Sequence, residues 1–259
     1  MSLPVAPRLL VLDTATETVH LALTTPGGVL ARAVEGGARS SVTTLPALQA
    51  LVADAGLAWS EIDAVGFGRG PGAFTGLRTA CAVAQGLALG LGKPVLALDT
   101  LMAVAESACQ ASAALARTLA KAPDTLLWVL QDARMSEVYA AAYRLDPAQG
   151  WVQASAPVLW PLDHLRAQVQ TGAVRCAAGS ALAAYPDAVA GLAGASDAQA
   201  QPRGDALAAL ALAAWSRGDT LDAALALPLY VRDKVAQTTQ ERREAASALA
   251  APVAVGGVA

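Results

Sequence analysis

Residues Asp13-Thr14-Ala15-Thr16-Glu17-Thr18-Val19 and Asp132-Ala133-Arg134-Met135-Ser136-Glu137-Val138 read as two copies of one hairpin turn. Each follows a strand-like apolar run, Leu9-Leu10-Val11-Leu12 in the first and Leu126-Leu127-Trp128-Val129-Leu130 in the second. Each opens a returning run, Val19-His20-Leu21-Ala22-Leu23 and Val138-Tyr139-Ala140-Ala141-Ala142-Tyr143. A strand, a carboxylate-led turn and a returning strand, repeated about half a chain apart, predict two similar domains facing each other. Proteins that grip phosphates across a hinge are built this way.

Working outward from the first copy, a third strand is predicted over residues 29–34, before Gly36-Gly37. Three strands followed by helices open a mixed α/β domain. From Val42 the pattern is helical, with Leu45, Leu48, Val52 and Ala55 on one side, Leu51 pointing away, and Pro46 implying a kink or a later start near Thr44. A buried strand over residues 64–68 runs into Gly68-Arg69-Gly70-Pro71-Gly72-Ala73-Phe74-Thr75-Gly76, which feeds a helix to about Leu91, stopped by Gly92. A strand over residues 95–98 and a helix capped by Thr100 follow. After the second hairpin come a turn at residues 146–150, a helix over residues 161–169, a short strand over residues 174–178 and a helix capped by Asp205. Residues 228–232 are expected to be ordered, with a loose Ala/Gly-rich tail beyond.

The 259 residues suit two modest domains. An apolar fraction of 55% with only 4% aromatics means a core of Ala, Leu and Val. The net charge of −3 argues against a general binder of nucleic acid or anionic membrane, which needs a dense basic surface. Cys81, Cys109 and Cys176 are widely spaced and odd in number, as in a reducing cytoplasm. The first residues lack a signal-peptide pattern, and Gln85, Lys93, Asp205 and Arg217 cut the longest apolar stretches below bilayer length.

Candidate chemistry is sparse. His20 and His164 are the only histidines and lie in different halves, without the spacing of a metal pair. Ser180 lacks the surround of a serine nucleophile, and Cys81 sits within a helix pattern as a small core residue. Gly68, Gly70, Gly72 and Gly76 straddle a strand-to-helix junction, where backbone N–H groups can approach an anion or where a tight corner needs room to pack. The Asp13-Thr14 turn is equally two-sided: its carboxylate could hold a metal-bridged phosphate or bond its own backbone. Both readings stand on these residues. The helix from Thr75 presents Arg78, Ala82, Gln85 and Leu89 opposite its core face, and with Leu51 these mark a helix-pair docking surface.

The runs Leu9 to Thr16, Gly68 to Arg78, Gln85-Gly86-Leu87-Ala88, Asp132-Ala133-Arg134 with Glu137-Val138-Tyr139, and Pro228-Leu229-Tyr230-Val231-Arg232 together resemble the bacterial TsaB (YeaZ) family. The resemblance covers residues 9–232. It implies an actin-like (ASKHA) fold of two similar α/β domains, placed at residues 1–104 and 105–235, with a tail at 236–259. It also implies a cytoplasmic role in making threonylcarbamoyladenosine beside the anticodon of tRNA. In that pathway TsaD, a paralogue, transfers the threonylcarbamoyl group from an adenylate made by TsaC, using a metal held by paired histidines. TsaE joins as an ATPase.

By that resemblance the present chain is a non-catalytic activator of TsaD, touching tRNA only through the complex, able to form a homodimer, and binding no cofactor alone. ATP and metal are then expected on the partner subunits. The TsaD contact falls on the two helices of the first domain, which agrees with the surface read from Leu51, Arg78, Ala82, Gln85 and Leu89. Asp13, Thr14, Gly70 and Gly72 become vestigial phosphate loops. Two departures stand out: Ser40-Ser41-Val42 where relatives often begin the helix His-Ser-Glu, and Met135-Ser136 where they carry a basic residue and Gly. The alternative is an ATP- or metal-dependent enzyme of the same fold, a small-molecule phosphotransferase or a peptidase, using Asp13.

Overall fold

The computed structural model describes residues 6–232; the tail expected at 236–259 lies outside the described residues. The first half contains strands β1 (Leu9–Asp13), β2 (Thr18–Thr25) and β3 (Gly28–Glu35), helix α1 (Ser40–Asp54), β4 (Ala64–Gly68), α2 (Phe74–Leu91), β5 (Val95–Leu98) and α3 (Thr100–Ala111). After α4 (Ala113–Lys121) the second half repeats the plan: β6 (Leu127–Asp132), β7 (Glu137–Asp146), β8 (Gly150–Pro161), α5 (Leu162–Gln170), β9 (Cys176–Ala178), α6 (Ala181–Ala184), β10 (Ser196–Asp197) and α7 (Gly204–Arg217). The sheets run β3-β2-β1-β4-β5 and β8-β7-β6-β9-β10, an identical order once the second is renumbered. In each, a three-stranded antiparallel meander is extended by parallel strands. The two-domain mixed α/β architecture inferred from the hairpins is the one observed.

Strand β1 is apolar without alternation because both faces of its sheet are covered. Leu10 and Leu12 point into a core with α1 and α2, while Leu9 and Val11 meet Leu207, Ala208 and Ala211 of α7. Helix α7 belongs by sequence to the second half yet packs on the first sheet, and α3 packs on the second sheet through Leu101, Val104 and Ala108. Each half thus lends its last helix to the other. A cut at residue 104 passes through α3 and leaves α7 on the far side of the boundary.

Four local expectations change. Helix α1 starts at Ser40, and its buried stripe is Thr44, Ala47, Leu48, Leu51 and Val52. Leu51 is therefore core, 2% exposed, and Leu45 is the outward residue at 41%. Thr44 can be buried because its hydroxyl donates to the Ser40 carbonyl at 2.6 Å, which rotates the stripe away from Leu45. Pro46 is accommodated inside the helix; the Val42 carbonyl, whose donor it removes, lies on the exposed side. Second, the cap of α3 is Asp99, which accepts from Leu101 N at 2.9 Å and Met102 N at 3.1 Å. Third, α7 starts at Gly204 without a side-chain cap, so Asp205 lies in its first turn. Fourth, β8 has no counterpart in the sequence reading. Pro157 argues against a strand there, but β8 is an edge, and the register shifts beside Ala142 place the proline where no ladder bond is needed.

The glycines divide sharply by what surrounds them. A methyl group on Gly68 would overlap the Asp13 carboxylate and one on Gly76 the Thr14 carbonyl, whereas nothing lies within 4 Å of Gly86 in mid-helix. We expect Gly76→Ala to lose roughly 2–4 kcal/mol in urea unfolding, since backbone cannot move aside as a side chain can. Gly86→Ala should gain about 0.5–1 kcal/mol from helix propensity alone. Equal effects at the two positions would contradict this packing.

Candidate functional site: a sealed turn, an interdomain cleft and a helix face

The β1–β2 turn is pressed into the glycine corner. Thr14 Oγ1 donates to the Gly76 carbonyl at 2.6 Å, and Ala73 N donates to the Ala15 carbonyl at 2.9 Å. A methyl on Gly72 would stand 2.6 Å from the Ala15 Cβ, and one on Gly70 2.9 Å from the Leu77 side chain. The four glycines therefore let two backbones touch, while Ala15, Gly72 and Ala73 also line the cavity between the halves. Close packing accounts for Gly68 and Gly76, where an added methyl would meet Asp13 and Thr14.

Asp13 is fully buried, with both oxygens engaged. Oδ1 accepts from Ala15 N at 2.7 Å and Oδ2 from Thr100 Oγ1 at 2.7 Å, while Thr100 Oγ1 accepts from Gly70 N at 3.0 Å. Burial pushes the carboxyl up to about 6, against the hydrogen bonds from Thr100 and Ala15. Asp99 lies beside it and is also pushed up by burial, against the hydrogen bond that Tyr143 Oη donates to Asp99 Oδ2 at 2.8 Å. Asp13, the carboxylate expected to face the cleft, is thus sealed beneath it.

Between the halves lies a cavity of about 370 Å³, walled by Thr16, Phe74, Leu77, Asp132, Tyr139 and the segment Leu229 to Arg232. Its charges are matched internally. Arg134 reaches Asp132 at 3.4 Å and Glu17 of the opposite hairpin at 3.3 Å, and Arg232 pairs with Glu137. Asp132 Oδ1 also accepts from Tyr185 Oη at 2.7 Å and Arg134 N at 2.8 Å. The two hairpins differ in register: Asp13 pairs with His20, Asp132 with Val138, so the second loop is one residue shorter. That tighter turn puts Arg134, Met135 and Ser136 all at positive φ. The sequence repeat is a repeat of topology, not of turn geometry.

Among the described residues, no group of three or more His, Cys, Asp or Glu side chains comes together as a metal site. His20 Nε2 donates to Gln201 Oε1 at 3.1 Å, and burial lowers its pKa. His164 packs on the Trp160 ring at 4.8 Å.

On α2 the outward stripe is Thr75, Ala82, Gly86, Leu89 and Gly90, with Leu89 80% exposed; on α1, Val42 and Leu45 are exposed. Arg78 is outward too, its guanidinium 3.9 Å above the Phe74 ring, with Nε donating to Tyr230 Oη at 3.2 Å. Gln85 is half-buried, its Nε2 donating to the Ala226 carbonyl at 2.9 Å. Of the five residues assigned to this face, Ala82 and Leu89 lie open, Arg78 and Gln85 are engaged by the C-terminal segment, and Leu51 is removed by burial. Leu45, on the same helix as Leu51, is the exposed leucine of α1. Sequence reasoning missed Glu17, Asp99 and Tyr143 as links between the halves, because such pairs are set by tertiary geometry and leave no spacing to read.

Two copies of one meander-and-crossover unit, set around a cleft with exchanged helices, define the actin-like class. The sequence model described as TsaD, tRNA N6-adenosine threonylcarbamoyltransferase, matches residues 11–154. The chain is 34% identical over 233 residues to the tRNA threonylcarbamoyladenosine biosynthesis protein TsaB of Escherichia coli, covering 88% of this chain and 96% of that one. TsaB of Haemophilus influenzae is 37% identical over 131 residues, 51% of each chain. The structure of YeaZ from Pseudomonas aeruginosa superposes with a TM-score of 0.73 at 34% identity, covering 86% of this chain and 99% of that one. The chain belongs to the TsaB (YeaZ) family.

Asp13 gives a measurable pH signature. Its folded pKa of about 6 exceeds the reference 3.8, so the fold favours the protonated form. The stability it contributes is fully present below about pH 4 and lost as pH rises through about 6, up to roughly 3 kcal/mol. Asp13→Asn keeps an acceptor for Ala15 N without the charge. We expect the stability difference between variant and wild type, by urea unfolding, to move in the variant's favour from pH 4 to pH 7. A difference independent of pH would contradict a buried Asp13.

Proposed function

We propose that this chain is a non-catalytic partner and activator of TsaD in forming threonylcarbamoyladenosine on tRNA. The Escherichia coli relative is named for that pathway, and the family model matched over residues 11–154 is that of the transferase. The observation that carries the reading is the open face of α2: a strip of Ala82, Gly86 and Gly90 ending in Leu89, which lets a second helix approach closely and supplies one large apolar anchor. Small residues alone are common on helices; here they coincide with a leucine that the fold leaves in water.

TsaD, the paralogue, is the protein we assign to that face, through its own corresponding helices. In its absence the same face pairs two copies of this chain. TsaE and the adenylate-forming TsaC act in the same pathway, with ATP and metal held by those partners and tRNA met only through the assembly. The enzyme alternative depends on Asp13 working in the cleft, and Asp13 is buried under the corner with both oxygens satisfied.

The test is Leu45→Asp combined with Leu89→Asp. Both side chains are outward, so the melting temperature should stay within a few degrees of wild type. Binding to TsaD, measured by interferometry, should weaken by about 30-fold or more, as expected when a central anchor is lost. tRNA modification reconstituted with TsaC, TsaD and TsaE should fall in parallel. Undiminished binding by the double variant would dismiss this face as the contact.

A further inference from the structure

The segment Ala226 to Arg232 has no place in either sheet, yet it is anchored in both cores. Ala226 is fully buried in the first half, where its carbonyl accepts from Cys81 Sγ at 3.1 Å and from Gln85 Nε2 at 2.9 Å. Leu229 N donates to the Arg69 carbonyl at 2.7 Å, and the Tyr230 ring lies 5.2 Å from that of Phe74, with its hydroxyl accepting from Arg78. Val231 then packs against the core of the second half. Arg232 pairs with Glu137, donates to the Arg134 carbonyl at 3.4 Å and touches Met135 Sδ at 3.7 Å.

One short extended strip therefore runs from the outer helix of the first half to the second hairpin, forming a wall of the cleft on its way. Its two ends do different work. The near end fixes Arg78 and Gln85, two long side chains on the α2 face. The far end holds a turn in which three consecutive non-glycine residues have positive φ, a conformation that persists only where surroundings over-determine it. Arg232 supplies that determination by gripping the carbonyl of the turn's first left-handed residue and the carboxylate that follows the turn. Both bonds leave the same guanidinium nitrogen, Nη2, while Nη1 meets Met135 Sδ; a lysine ammonium could take over the Nη2 pair but not the Met135 contact beside it.

We propose that Ala226–Arg232 is a tie that couples the partner-binding face of α2 to the second hairpin, so that cutting it at Arg232 loosens the hairpin and weakens docking on α2. The docking half of this rests on the partner reading above. The tie pre-orders Arg78 and Gln85, and a partner seated on them would gain from side chains already immobilised. By reciprocity, a partner bound to α2 must in turn steady the far hairpin.

Hydrogen–deuterium exchange and binding of full-length Arg232→Ala, Arg232→Lys and wild type to TsaD decide the matter. In Arg232→Ala we expect faster exchange in the peptide spanning residues 133–138, with the β1 and α1 peptides unchanged as a check on folding. TsaD affinity should fall about three- to tenfold, as when one or two side chains lose their ordering. Adding TsaD should slow exchange in the same peptide of wild type but not of Arg232→Ala. Arg232→Lys should lie between. Unchanged hairpin exchange in Arg232→Ala would overturn the tie. Faster exchange with unaltered affinity would overturn the coupling. Absence of TsaD binding by wild type would instead remove the partner reading and the coupling with it, leaving the exchange data to judge the tie alone.

Discussion

The structure turns on the contact between one hairpin and one corner. Asp13, Thr14 and Ala15 lie directly against Gly68, Gly72 and Gly76, with Thr100 bridging the Asp13 carboxylate to Gly70 N. That contact docks β1 onto the start of α2 and, through Thr100, onto the start of α3. Since α3 crosses to the second sheet, the corner is also where the halves meet. It has a chemical consequence. Backbone N–H groups and a carboxylate in this arrangement can serve an anion or metal only if space is left between them. Here Thr14 and Ala15 pack directly on Gly76 and Gly72, Asp13 is fully buried, and the charged groups of the cleft pair with one another.

Much of this was legible in the sequence. Continuous apolar runs at residues 9–12 and 64–68 mark strands buried on two faces, and the structure covers both faces of that sheet. The repeat of Asp, turn and valine correctly announced a duplicated architecture. What failed did so for identifiable reasons. The stripe predicted on α1 holds at Leu48 and Val52 but not at Leu45, since burial also takes in Leu51 and the small residues Thr44 and Ala47, with the Thr44 hydroxyl satisfied by the Ser40 carbonyl. β8 is not predicted; it is an edge strand, where Pro157 is tolerated, and sequence does not tell an edge from a centre. The exchange of α3 and α7 between halves has no local signature at all.

The candidate site was legible in composition more than in geometry. Two isolated histidines and glycines without a Gly-Lys-Ser already weakened catalytic readings, but whether the glycines grip or merely fit depended on a distance between residues some 60 positions apart, such as Thr14 and Gly76. The outward Leu89, by contrast, followed from helical phase alone. The feature that the fold leaves open to a partner is the strip on α2 with its outward Leu89.

The most direct measurement is a calorimetric titration of the purified chain with magnesium–ATP. With the corner filled by its own hairpin, the account expects no saturable heat at nucleotide concentrations up to the millimolar range. A micromolar isotherm that disappears in Asp13→Asn would show that the corner opens and grips phosphate, and would contradict it.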